Sequence, residues 1–157
     1  MKTLASLGSD IRAIPVWIKT EFDKEDVVWG IRIDGTENQV VIRDVSMFAY
    51  DIAYEDIILV EEKNNKHFYI KHLQKSDWIS FVILTQTIEC AAKIGAKIIN
   101  YPENYEIAAR FIPGEKNIPI LGISIKKSKA KNLLEDIKIW KENKYINDYA
   151  ETTELSR

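Results

Sequence analysis

The chain has 157 residues, enough for one ordinary domain with a sizeable core, and its 46% hydrophobic and 29% charged residues are those of a globular protein. No apolar run approaches the roughly 18 residues of a membrane span, and the opening MKTLASLGSDIR lacks the apolar stretch of a signal peptide. The formal charge of −2 hides an asymmetry: residues 1–62 hold 6 Lys/Arg against 13 Asp/Glu, and residues 63–157 hold 16 against 11.

An acidic first half disfavours nucleic acid there and suits a basic partner, unless the charges mix into an ordinary solvated surface on folding. The single Cys90 can form no internal disulfide, which fits a reducing compartment. Together these features predict a cytoplasmic protein.

In chain order, residues 1–15 form a loose lead-in that ends at Pro15, and Val16-Trp17-Ile18 reads as a short edge strand or as a run packed across a sheet end. TEFDKED (20–26) is a charged loop. Val27 to Ile33 alternates, with Val27, Trp29, Ile31 and Ile33 on one face. Asp34-Gly35 signals a hairpin turn, and Gln39 to Phe48 returns from it with a bend near Asp44 and Ser46. The acidic segment DIAYED then leads into Ile57-Ile58-Leu59-Val60, a strand buried on both faces and central to the fold. A polar turn follows at 61–66, His67 to His72 returns from it, and Trp78 to Leu84 is a third pairing candidate. Short polar turns between these runs predict an antiparallel meander or small barrel.

After Thr85 the pattern changes. Thr85 or Thr87 can cap a short helix over Ile88–Ile94, with a stripe of Ile88, Ala91 and Ala92 and Gly95 as its stop. Lys97 to Tyr101 reads as a strand. In the next strand Tyr105, Ile107, Ala109 and Phe111 face one way and Glu106 and Arg110 the other. Ile118 to Ile125 reads as an edge strand because Pro119 cannot donate to a ladder. Ser128 caps a last helix whose Ala130, Leu133, Leu134, Ile137 and Trp140 follow the helical period. The tail NDYAETTELSR frays. The expected fold is α+β: an antiparallel β-rich first half, then a β-α-β-β-β-α half with two helices packed on a sheet. It is one domain over 1–157 in two lobes, a β-rich lobe over 1–84 and an α/β lobe over 85–157.

Motifs for chemistry are sparse. His67 and His72 are the only histidines, and in a continuous strand a spacing of five puts them on opposite faces. There is no HExxH, CxxC, GxGxxG, Walker or GxSxG pattern, so no metal, cofactor or catalytic residue is expected. Cys90, beside Ala91 and Ala92, reads as a small core residue. The acids Asp51, Glu55, Asp56, Glu61 and Glu62 form the candidate partner-binding set, since an acidic patch can steer a cationic partner. Two alternatives use other residues. The run Lys126-Lys127-Ser128-Lys129-Ala130-Lys131, with Phe68, Tyr69, Trp78 and Phe81, suits a small ligand or nucleic acid. A hydrolase would need the loop carboxylates to converge in a pocket.

The run Met47-Phe48-Ala49-Tyr50, followed by Glu55-Asp56-Ile57-Ile58, resembles a family of small bacterial proteins of unknown function. There an aromatic step of the PFF or PFY kind precedes a strand that begins gDvV. Gly95-Ala96-Lys97-Ile98 also resembles that family, as a strand start after a short helix. This chain lacks the proline of the first element and the glycine of the second, and the resemblance covers the middle half of the chain. In overall type the chain is similar to bacterial toxin-immunity proteins. The acidic first half, with no catalytic constellation, points to a non-enzymatic binding protein, most specifically an immunity-type inhibitor that masks a basic toxin domain, with no membrane partner.

Overall fold

The computed structural model describes residues 12–20 and 23–153. Residues 1–11 of the lead-in expected over 1–15, part of the TEFDKED loop and the last four residues of the tail lie outside them, while Ala13 to Pro15 of that lead-in belong to the first strand. Among the described residues, nine strands and two α-helices form an α+β fold with its helices in the C-terminal half.

Strands β1 (Ala13–Lys19), β2 (Glu25–Arg32), β3 (Gln39–Ile42), β4 (Ile57–Lys63) and β5 (Lys66–Gln74) close into a five-stranded meander barrel. An odd number of strands forces one parallel seam. It lies between β1 and β5 and spans two residue pairs, Val16 with His67 and Trp17 with Phe68. Pro15 lies within β1 just outside that seam, so its missing N–H is accommodated in a strand that closes a barrel. Alternate residues point inward: Ile14, Val16, Ile18, Val28, Val40, Ile42, Ile58 and Val60 fill the interior.

The inward face of β2 is the opposite of the one expected. Asp26, Val28 and Gly30 are buried, whereas Val27, Trp29 and Ile31 are half-exposed outside. The barrel is too narrow for an indole there: a Cβ on Gly30 would already meet a methyl of Val40 and lie 3.1 Å from the Val41 carbonyl. β4 is buried on its inner face only, through Ile58 and Val60. The β4–β5 hairpin turns on Asn64-Asn65 alone, both with left-handed φ (52° and 60°), so Glu61 and Glu62 belong to the strand.

The second layer comprises β6 (Trp78–Thr85), α1 (Ile88–Ile99), β7 (Ile107–Pro113), β8 (Pro119–Lys126), α2 (Ala130–Glu142) and β9 (Ile146–Glu151). The sheet order is β7-β8-β6-β9, every neighbour antiparallel. This β-α-β-β-α-β path is the split βαβ, or ferredoxin-like, topology. Its core packs Ile79, Phe81, Ile83, Leu121, Ile123 and Ile125 against Ile94, Ile98, Leu133, Ile137 and Trp140.

Several sequence expectations change here. β6 pairs in this sheet and not in the barrel, so the lobes divide before Trp78 and not at Thr85. Thr87 does cap α1, accepting from the Cys90 N–H at 3.1 Å. The helix then continues through Gly95 and absorbs the strand expected at 97–101. Its buried stripe is Ala91, Ile94, Gly95 and Ile98, a true i, i+3, i+4, i+7 set. Gly95 is there for close approach and not as a stop, since a Cβ would lie 3.1 Å from the Phe111 ring. Pro119 opens a central strand: at the first position, opposite Pro113, its missing N–H breaks no ladder. Ser128 lies in a 3-10 turn and caps nothing, while the supposedly frayed tail supplies edge strand β9.

Candidate functional site

Residues 43–56 connect β3 to β4 and pass between the two layers. Three buried aspartates hold this segment by its own backbone. Asp26 of β2 accepts from the Ser46 hydroxyl (2.8 Å) and from the N–H groups of Met47 (2.8 Å) and Phe48 (3.1 Å). Asp44 accepts from the N–H groups of Val45 (2.8 Å) and Trp29 (3.1 Å) and from Arg110 of β7 (3.3 Å). Asp56 accepts from the N–H groups of Ala53 (2.9 Å) and Ser76 (2.8 Å) and from His72 Nε2 (3.0 Å). Burial pushes the Asp44 carboxyl up from its ordinary pKa, and Arg110 with the two N–H donors pulls it partly back.

His72 bridges two groups: its Nε2 lies 3.0 Å from the Asp56 carboxylate and its Nδ1 3.0 Å from the Tyr69 hydroxyl. Burial raises the Tyr69 pKa above its ordinary value. This arrangement exists because β5 bulges at Ile70, between Tyr69 and His72. That one extra residue sets His67, Tyr69 and His72 opposite Glu62, Val60 and Ile58, so both histidines face inward and not to opposite sides. His67 sits at the far end of the barrel, where its Nε2 accepts from Arg32 at 2.7 Å.

On the other side of the segment a layered stack joins barrel to sheet. Arg43 lies 5.5 Å from the Tyr54 ring centroid, Tyr54 lies 4.6 Å from Trp78, and Lys126 lies 5.5 Å from Trp78 on β6. Glu55 closes the stack, bound to Arg43 (2.9 Å) and the Trp78 indole N–H (3.0 Å), with Lys126 at 3.8 Å. Glu55 holds a left-handed φ of 65°. For a residue with a Cβ that conformation costs about 1–2 kcal/mol. We therefore expect Glu55→Gly to be about 1 kcal/mol more stable than Glu55→Ala, because both lose the carboxylate but only alanine keeps the strain. Urea unfolding of the pair decides it, and equal midpoints would refute the strain assignment.

The five acids of the candidate set do not form one surface. Asp56 is fully buried, and its carboxylate is committed internally. Asp51 is paired with Lys75 at the barrel rim, and Glu55 belongs to the stack. Glu61 and Glu62 lie along β4 on opposite faces, the first paired with Lys63 at 2.8 Å and the second 3.5 Å from His67. Of the residues considered for nucleic acid, Lys126 binds Asp77 (2.6 Å), Trp78 is in the stack and Phe81 is in the core. Cys90 is half-buried at the start of α1.

The segment also presents two aromatics that sequence reasoning passed over. Met47 and Val45 lie over Gly122 of β8, so closely that a Cβ there would collide with the Met47 sulfur. Four residues later the Asp51 N–H donates to the Thr152 carbonyl at 2.7 Å, beyond the end of β9. Between these anchors the chain crosses the sheet on the face opposite the helices. Ala49 turns into the barrel core, and Phe48 and Tyr50 are left 52% and 57% exposed. Leu84 of β6, on the same sheet face, is 43% exposed.

The fold has a solved counterpart. The chain is similar to a hypothetical protein from Neisseria gonorrhoeae with a crystal structure, at TM-score 0.60 and 16% sequence identity. The match covers 90% of this chain and 93% of that one. The likeness is one of fold. No protein-family model matches the chain, and no curated protein does.

Proposed function

We propose that this chain is a non-enzymatic protein-binding module whose contact surface centres on Phe48 and Tyr50. One observation carries the reading. Two large aromatics stand exposed on a segment whose backbone is pinned on both sides by Asp26 and Thr152, so little conformational entropy remains to be lost on binding. Rigid, exposed aromatics are the side chains that most often dominate binding energy at protein interfaces. Leu84 adds a third exposed apolar side chain on that face of the sheet.

The more specific form of the proposal is a cytoplasmic, immunity-type inhibitor that masks a basic toxin domain. It draws support from the acids that remain solvent-facing on the barrel, among them Glu25, Asp34, Glu37, Glu61 and Glu62. Such charges steer a cationic partner more than they hold it.

The test uses the product of the neighbouring reading frame as the partner, with affinity measured by calorimetry. Phe48→Ala with Tyr50→Ala is expected to weaken binding by about tenfold or more at unchanged melting temperature. Charge reversal at Glu61 and Glu62 is expected to slow association and flatten its salt dependence. Asp56 is left out of the reversal set because it is internal. Full affinity in both variants would remove this surface from consideration.

A further inference from the structure

Between α1 and α2, on the side of the molecule away from the barrel, a cleft of about 330 Å3 opens beside the C-terminal end of α2. Its floor is Ile94, and one wall is Ile139, an isoleucine left 47% exposed. Two ammonium groups flank it from α1. Lys93 Nζ lies 5.4 Å from the Tyr145 ring centroid, and Lys97 Nζ lies 5.7 Å from that of Trp140. Lys97 shares Asp136 with the Tyr101 hydroxyl, while among the described residues no carboxylate pairs with Lys93.

A helix C-terminus ordinarily repels anions through its free carbonyls, but here those of Trp140 and Lys141 are capped. Lys144 adopts a left-handed φ of 57° and closes a Schellman motif. Its N–H donates to the Lys141 carbonyl (3.0 Å), and the Tyr145 N–H donates to that of Trp140 (2.8 Å). The Asn143 N–H takes the Ile139 carbonyl at 3.0 Å. The cleft therefore joins the Lys93 ammonium, a second ammonium shared with Asp136, and an apolar floor and wall to a helix end with two capped carbonyls.

We infer that this cleft is a binding site for a small organic anion, a carboxylate on an apolar body. The carboxylate sits between Lys93 and Lys97, and the body lies on Ile94 and Ile139. The volume is at the lower end of ligand pockets, which sets the size to a one- or two-ring compound. This site is remote from the Phe48–Tyr50 surface and does not depend on it.

The experiment titrates the full chain with naphthalene-2-carboxylate and, separately, with the neutral naphthalene-2-carboxamide, read by amide and indole NMR shifts. The carboxylate is expected to give saturable shifts at Lys93, Lys97, Trp140 and Tyr145, with a dissociation constant of about 1 mM or tighter, as suits a compound of this size. The carboxamide should bind about tenfold more weakly, and Lys93→Gln should lose about tenfold while Lys93→Arg keeps the affinity. Melting temperatures of both variants control for folding. Equal binding of the two compounds would mean simple adhesion to an apolar patch and would overturn the proposal. So would an unaffected Lys93→Gln, or the absence of saturable shifts at these residues.

Discussion

Replacing Asp56 with alanine is expected to destabilise the protein by about 3–5 kcal/mol, the range for removing one partner from a buried charged network. The side chain is fully buried, and its loss leaves the Ala53 and Ser76 N–H groups and His72 Nε2 without their acceptor. Each orphaned buried donor costs about 1–3 kcal/mol, so the total is a large part of the roughly 5–15 kcal/mol a domain of this kind possesses. For a chain of this length the melting temperature should fall by roughly 6–20 °C. Asp56→Asn keeps one acceptor oxygen and should fall in between. A thermal scan of the two variants checks the order, and an alanine variant melting within about 2 °C of the parent would contradict the network.

Arg110→Ala is expected to cost about 2–4 kcal/mol, below the range for a fully buried pair because the guanidinium is one-fifth exposed. Arg110 donates to the carbonyls of Val27 (3.0 Å) and Val45 (3.4 Å) as well as to Asp44, so it fastens β7 both to β2 and to the connecting segment. The loss carries a pH signature. Asp44 has its pKa raised in the fold, chiefly by burial, so its contribution to stability is present below the ordinary value of 3.8 and is lost as pH rises through the raised value. Removing Arg110 takes away the main influence that lowers that pKa, so it rises further. The variant's deficit should therefore be largest near neutrality and smallest below about pH 4. Urea unfolding at pH 4 and pH 7 measures it, and a deficit independent of pH would sever Arg110 from Asp44.

Much of the second layer was legible because its signals are local. Ile107, Ala109 and Phe111 alternate against Arg110 as strand period requires, and Leu133, Ile137 and Trp140 mark the buried stripe of α2. The errors arose where distant packing overrode a local sign. Gly95 reads as a helix stop, yet it is a contact with Phe111. Trp29 reads as core, yet Gly30 shows there is no room inside. The tail reads as frayed because a register shift at Leu84/Thr85 separates Ile146 from Tyr149 and hides the alternation.

The candidate site was half legible. Asp51, Glu55 and Asp56 do lie in the segment that joins the layers, but acids in a turn read as solvated, and here all three are engaged. The donors that engage them, such as Ser76, His72 and Trp78, stand 16 to 23 residues away, beyond any local pattern. The β5 bulge that brings His72 to Asp56 leaves no periodic trace either. Glu55 is a further case, since its left-handed φ is offset by contacts with Arg43 and Trp78 that lie 12 and 23 residues away.

The pairing of Asp44 with Arg110 also sets a schedule for synthesis. The two residues are 66 positions apart, and at 5–20 residues per second the cation leaves the ribosome roughly 3–13 s after the anion. During that interval Met47 and Val45 have no β8 to lie on, and Asp44 has only backbone donors. The contacts that hold the connecting segment between the layers, Asp44 with Arg110 and Met47 with Gly122, are therefore completed only by residues from the far half of the chain.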